Sequence, residues 1–214
     1  MRGSYSGPLP TPGQSVLYKP SGGIAGASTL WASAWARART ALPSAIVLDD
    51  LAGESIIPAG AWDMRGIDLR SLSGQIPTLT IADGATLPNL CDVRGIVLSS
   101  VSTAPVIALA SGFLALTLDR QASLQASAAP FIRTTGAAFL SLGLRYFSYI
   151  INAGNKVLDC QAGSTALIFA DFAGQIYANT LTGAGTIQVS DLTSVEGKAF
   201  ISHTQAGATA ITYG

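Results

Sequence analysis

Four stretches decide the fold: Pro77-Thr-Leu-Thr-Ile-Ala-Asp-Gly84, Pro105-Val-Ile-Ala-Leu-Ala-Ser-Gly112, Pro130-Phe-Ile-Arg-Thr-Thr-Gly136 and Lys156-Val-Leu-Asp-Cys-Gln-Ala-Gly163. Each is a short apolar run closed by glycine, and the spacing from Gly84 to Gly112, Gly136 and Gly163 is too long for a heptad and too short for a domain. A second apolar run follows each glycine (Thr86 and Leu87, Phe113 to Leu118, Phe139 to Leu144, Leu167 to Phe169). Past a polar break comes a third (Ile96 to Leu98, Ala122 to Leu124, Phe147 to Ile151, Gln175 to Tyr177). A period of this length marks stacked repeats, and runs this short suit strands better than helices.

Three short strands per repeat predict one coil of a parallel β-helix. A lone coil cannot bury its inward side chains, but coils stacked at ~4.8 Å share one core and satisfy each other's backbone groups. The expected fold class is therefore all-β, a solenoid of about six coils over residues 44–190. In this register Leu79, Ile81, Ile107, Leu109, Ile132, Leu158 and Cys160 lie inside, with Leu79, Ile107 and Ile132 on matching layers. Glycine suits the sharp corners, and proline the strand starts, where a missing donor is tolerated.

A second correspondence supports that register: Asp63-Met-Arg65-Gly66-Ile67-Asp68-Leu69 returns one repeat later as Asp92-Val-Arg94-Gly95-Ile96-Val97-Leu98. Arg120 and Arg145 follow at similar steps. Stacking would place Arg65, Arg94, Arg120 and Arg145 in one column, neutralised by Asp63, Asp92 and Asp119. Such a column reads as a corner ladder of solvated ion pairs, with an anion or glycan strip as the alternative.

The bulk composition points to association. The chain has 214 residues and zero net charge; 11% of its residues are charged and 49% hydrophobic. Ordinary soluble proteins carry about 25% charged residues, so this surface is short of charge and is expected to bury lateral area against other chains. Nothing basic suggests a nucleic-acid partner. The uncharged span Gly95 to Leu118 is broken by serines, a proline and a glycine into strand-length pieces, so no membrane insertion is expected. Met1 to Gln14 carries no apolar run of the kind that marks a secretory signal.

Residues 1–26 are rich in proline and glycine and read as an extended arm. Tyr5, Leu9, Val16, Leu17 and Tyr18 are its candidate docking anchors. Residues 27–43 read as a helix capped by Ser28 and ended by Pro43, with Trp31, Ala34, Trp35, Ala38 and Leu42 on one face. Placed just before the first strand, that helix should cover the open end of the first coil, with Trp31, Trp35 and Leu42 as the cap. Residues 191–214 lose the register and read as C-terminal strands, either a terminal coil or an intersubunit element.

Catalytic machinery is sparse. His203 has no partner for zinc, and Cys91 and Cys160 fall in non-adjacent coils, beyond the Cα separation of about 7 Å that a disulfide tolerates. Both are expected to be reduced, and no metal or cofactor is expected. Glycoside hydrolysis needs only two carboxylates, for which Asp49, Asp50, Glu54, Asp68, Asp83 and Asp159 are the candidates.

The Pro/Gly-rich arm ending in Tyr18-Lys-Pro-Ser-Gly-Gly23, the helix carrying Trp31 and Trp35, and the entry strand Ile46-Val-Leu-Asp-Asp50 together resemble the tailspike-like proteins of tailed bacteriophages. The resemblance implies a right-handed parallel β-helix that forms a parallel homotrimer, attached to the virion through its N-terminus. Members of that group include tailspikes that cut surface polysaccharide and shorter trimers that decorate or cement capsids. This chain is short and lacks the long insertions that build a glycan groove. The expectation is thus a non-enzymatic, trimeric decoration protein on the virion surface, docked on capsid or other virion proteins by its arm. The alternative is a spike that binds or cleaves a host surface glycan.

Overall fold

The computed structural model describes residues 13–50, 52–72, 74–171, 174–177, 180–191, 200–201 and 210–213. The chain is mostly β, with long parallel sheets and, among the described residues, one helix. The first sheet runs in the order Ser15–Tyr18, Ser44–Leu48, Ile67–Ser71, Asp92–Arg94, Ile107–Asp119, Ile132–Leu144, Thr165–Ala170, Thr186–Asp191 and Ala210–Tyr213. Leu158–Cys160 pairs with the front of Ile132–Leu144, and Leu181–Thr182 pairs with Leu158–Cys160. The second sheet stacks Ile56–Ile57, Thr78–Ile81, Val97–Ser100, Ser123–Ala126, Tyr149–Asn152, Gln175–Ile176 and Phe200–Ile201. Gly60–Ala61 and Ala85–Thr86 form a third, two-stranded sheet.

Every strand pair among the described residues is parallel, because the chain visits the sheets in turn and returns to each one repeat later. Like residues therefore stack on like. Leu79, Leu98, Leu124, Ile150 and Ile176 form one inward column in the second sheet. Leu116, Leu142, Ile168 and Val189 form another in the first, and Ile107, Ile132, Leu158 and Leu181 a third. All of these side chains are buried. Each contributes roughly 1.5–3 kcal/mol by leaving water, so the columns and the backbone ladder stabilise the same stacking.

The structure corrects the expected register, first at Leu79. Ile107 and Ile132 share a layer, but Leu79 stands in the second sheet, where its partner is Leu98. The segment that continues into the Ile107 column is the next one, where the Leu87 amide donates to the Val106 carbonyl. A short alternating run closed by glycine looks the same on any side of the repeat, so the sequence alignment slipped by one side. Ile107–Asp119 and Ile132–Leu144 also run as continuous strands through the glycines expected to break them, with a register shift between Leu109 and Ser111. Leu109 is only partly buried.

The N-terminal boundaries are corrected too. Ser15–Tyr18 is not part of a free arm but the outermost strand of the first sheet, paired in register with Ala45 to Leu48. Val16 and Tyr18 are buried in the core, so neither is available as a docking anchor. Leu17, between them, is 54% exposed, as strand alternation requires. Tyr5 and Leu9 lie outside the described residues.

The helix spans Gly23–Thr40, starting earlier than the expected Ala27. Gly22 caps it in the left-handed conformation, φ 79°, with no side-chain cap. Ser28, expected as the cap, sits inside the helix and donates to the Ile24 carbonyl at 2.7 Å. Ala27, Trp31, Ala34 and Ala38, spaced by four, three and four, form its buried face. Residues 200–201 and 210–213, in the segment expected to lose the register, continue the second and first sheets of the same chain.

Candidate functional site

Three regions hold the residues that the sequence singled out: the N-terminal end, an arginine-lined turn and an uncharged outer face.

At the N-terminal end, Trp31 is fully buried, edge-on to Tyr18 at 5.5 Å and to Trp62 at 6.2 Å. Trp35 packs edge-on against Trp62 at 5.3 Å, and its indole N–H donates to the Asp63 carbonyl at 3.1 Å. The rings are thus committed to packing. Leu42 lies beyond the helix and rests over Gly66, where the missing side chain leaves it room. Tyr18 ties the end together, a role its sequence context did not suggest. Its hydroxyl accepts from the Ile56 amide at 3.1 Å and reaches the carbonyls of Ile56 and Ala27 at 3.1 and 3.3 Å. Burial pushes the Tyr18 phenol up to about 12.

The expected column of Arg65, Arg94, Arg120 and Arg145 does not form. Arg94 pairs in register with Arg70 on one side and Asp119 on the other. The true repeat is Asp68-Leu69-Arg70 on Asp92-Val93-Arg94. The misleading match came from Gly66 and Gly95, which both follow an arginine with positive φ, 73° and 63°. Gly66 precedes its strand, whereas Gly95 follows one.

Within each strand the arginine folds onto the aspartate two positions before it. Arg70 pairs with Asp68, and Arg94 grips Asp92 through Nε at 2.9 Å and Nη2 at 3.3 Å, with Asp119 at 3.8 Å. The Asp92 hydrogen bond is the main reason that the Arg94 guanidinium is raised above its usual range, against the cost of its desolvation. Arg65 is exposed on its own turn, where its carbonyl accepts from Arg39 at 3.2 Å and Arg39 pairs with Asp63 at 3.6 Å. The Asn89 amide, 2.8 Å away, is the chief cause that holds the Asp63 carboxyl below its usual range. Arg120 follows Asp119 with φ 54°, and Arg145 lies beside Asp171 in another groove.

Arg70, Gln75, Arg94 and Arg120, together with Ser71, Ile76, Gln121 and two glycines, line a groove of about 420 Å³. Sequence reading found Arg94 and Arg120 but missed Arg70 and Gln75, because only the stacking brings them together.

The third region is the outer face of the long strands. Residues 110–117, 135–143 and 165–169 contain no charged side chain. Phe113 stacks on Phe139 with centroids 5.6 Å apart and 25° between the planes. Ala115, Ser141, Gly143 and Phe169 line a shallow groove of about 120 Å³ in the same face. Charge returns at the borders of the face, with Arg133 paired to Asp159 at 2.8 Å, and with Arg145 and Asp171, which also line that groove.

All of the candidate glycosidase acids but Glu54 are occupied structurally. Asp50 accepts four backbone N–H groups, from Ala52, Gly53, Glu54 and Ser55, at 2.8 to 3.3 Å. Burial pushes its carboxyl up, but the hydrogen bonds from Ser55, Glu54 and Gly53 outweigh that and leave it lowered. Asp49 pairs with Lys19 at 3.3 Å, and Asp159 with Arg133 and Gln161. Asp83 accepts from the Thr103 amide and hydroxyl at 2.8 and 2.7 Å, which lower it. Glu54 is exposed. Both cysteines are free; burial pushes the Cys91 thiol up, away from the reactive thiolate. Among the described residues there is no His/Cys/Asp/Glu group able to hold a metal ion and no helix long and apolar enough to cross a membrane.

No protein-family model, curated protein or solved structure matches the chain.

Proposed function

We propose that the chain is a right-handed parallel β-helix that assembles as a parallel homotrimer and serves as a non-enzymatic structural protein of a bacteriophage virion, decorating or cementing the capsid. The observation that carries this reading is the uncharged outer face around Phe113 and Phe139, bordered by Arg133–Asp159 and by Arg145 and Asp171. An apolar centre with a charged rim is the anatomy of a protein interface. Phe113 is 65% exposed in the single chain, a state that association relieves. A rod with its strands in register offers the same flat face along its length, and three copies around one axis close that contact without leaving an open filament. Apart from the exposed Glu54, the candidate carboxylates are engaged with backbone amides or cations, which supports the structural role over glycoside cleavage.

Docking on the particle falls to the residues before Gly13, with Tyr5 and Leu9 as anchors, and to the exposed Leu17. Three such segments on one trimer act together, so modest contacts per segment suffice. Gold-labelled antibody against the chain, imaged on virions by electron microscopy, tests this function. Dense labelling of the head is expected. Label confined to the tail would move the reading to a receptor-binding or polysaccharide-cleaving spike, and unlabelled virions would overturn both.

A further inference from the structure

The arginine-lined groove has no part in the trimer reading, and it gathers residues whose polar groups are not all satisfied within the chain. Arg70 and Arg94 are register partners on adjacent parallel strands, whose backbones lie about 4.8 Å apart, so both side chains line the same groove. Each is braced by its own strand's aspartate, Asp68 or Asp92, which fixes where its remaining N–H groups can go. Arg120 has no carboxylate within 4 Å among the described residues and stands exposed beside them. It and Gln121 are consecutive non-glycine residues at positive φ, 54° and 65°, a corner turn that the next repeat makes again at Tyr146 and Phe147, 46° and 63°, and that sets where Arg120 stands. Two groove residues also carry a buried polar atom with no hydrogen-bond partner: Arg70 Nε, a donor, and Gln75 Oε1, an acceptor.

We propose that this groove binds a small hydroxylated oxyanion, with Arg70, Arg94 and Arg120 donating to its carboxylate or phosphate oxygens and Gln75 accepting from its hydroxyl. Guanidinium groups match both kinds of oxyanion with paired N–H donors. Asp68 and Asp92 engage Arg70 and Arg94, and Asp119 lies 3.8 Å from Arg94, so Arg120 is the groove arginine left without a direct ion pair among the described residues. The Gln75 carbonyl selects a ligand with a donor over a bare anion. The groove is large enough for a three-carbon ligand.

Isothermal titration calorimetry of the full chain at constant ionic strength is the test, with glycerol 3-phosphate, glycerate, inorganic phosphate and glycerol as probes. Saturable binding of glycerol 3-phosphate or glycerate, weaker binding of inorganic phosphate and none of glycerol are expected; which of the first two binds tighter identifies the oxyanion. Arg120→Asn keeps the left-handed backbone, which asparagine tolerates, and is expected to weaken binding about tenfold with an unchanged melting temperature. Arg70→Gln is expected to do the same, and if it fails to fold the exposed Arg120 variant decides alone. Heats that do not saturate, inorganic phosphate binding as tightly as the hydroxylated probes, or undiminished affinity in Arg120→Asn would each overturn the proposal.

Discussion

Phe113 lies in register over Phe139, their rings 5.6 Å apart, on a face whose neighbours are alanine, serine, glycine and threonine. Within one chain the pair leaves an aromatic surface facing water. In the proposed trimer it is the centre of the contact, where truncation of an aromatic anchor costs about 2 kcal/mol or more. Phe113→Asp is expected to dissociate the trimer into folded monomers, read by sedimentation velocity together with an unchanged far-UV spectrum. A variant that remained fully assembled would place the contact elsewhere.

Tyr18 gives the N-terminal end a distinct alkaline signature. An unfolded chain gives up the phenolic proton near 10, whereas the folded chain keeps it to about 12. This contribution is complete below pH 10 and is lost as pH rises from 10 through 12. Tyr18→Phe leaves the Ile56 amide without its acceptor and is expected to cost about 1–3 kcal/mol at pH 7. Urea melts at pH 7 and pH 11 should show the gap between wild type and variant narrowing at the higher pH. An equal gap at both would mean that the phenol titrates as though exposed.

Truncation separates docking from folding. A chain starting at Gly13 keeps the edge strand and the whole helix, so it is expected to assemble and melt like the full chain while failing to rebind depleted particles. A chain starting at Ala27 loses Val16, Tyr18 and the first turn of the helix, and should melt well below it. Thermal melts and co-sedimentation with particles check both. Rebinding by the Gly13 chain would transfer docking to the β structure.

Much of the parallel stacking was legible because the offset becomes constant from Leu98 through Leu124 and Ile150 to Ile176, each column keeping its residue type. The earlier repeats were not, since the shorter step from Leu79 to Leu98 breaks the period and short alternating runs carry no label for their side. The helix stripe around Trp31 was readable from its spacing. Its start was hidden because Gly22 and Gly23, which read as loop, supply a left-handed cap instead of a side-chain one. The arginine ladder misled because Asp-x-Arg occurs at 63, 68 and 92, and only the pairing of Leu69 with Val93 selects the second. Tyr18 sits in a proline- and glycine-rich segment with no periodicity, so nothing local marked it as core.

Two glycines calibrate how tightly the repeats are stacked. A Cβ on Gly183, φ 111°, would overlap the Cys160 carbonyl oxygen, while one on Gly112, φ 79°, meets nothing within 4 Å. Gly112→Ala is expected to cost about 1 kcal/mol, the backbone penalty alone. Gly183→Ala must also push one repeat off the next and is expected to cost about 2–4 kcal/mol. Chemical denaturation of both variants makes the comparison, and equal losses would contradict the close stacking at Gly183.

Coverage of the uncharged outer face by sister chains is tested most directly by native mass spectrometry of the full chain at micromolar concentration. A single species of three chains that persists on dilution is expected; a stable, soluble monomer across that range would contradict it.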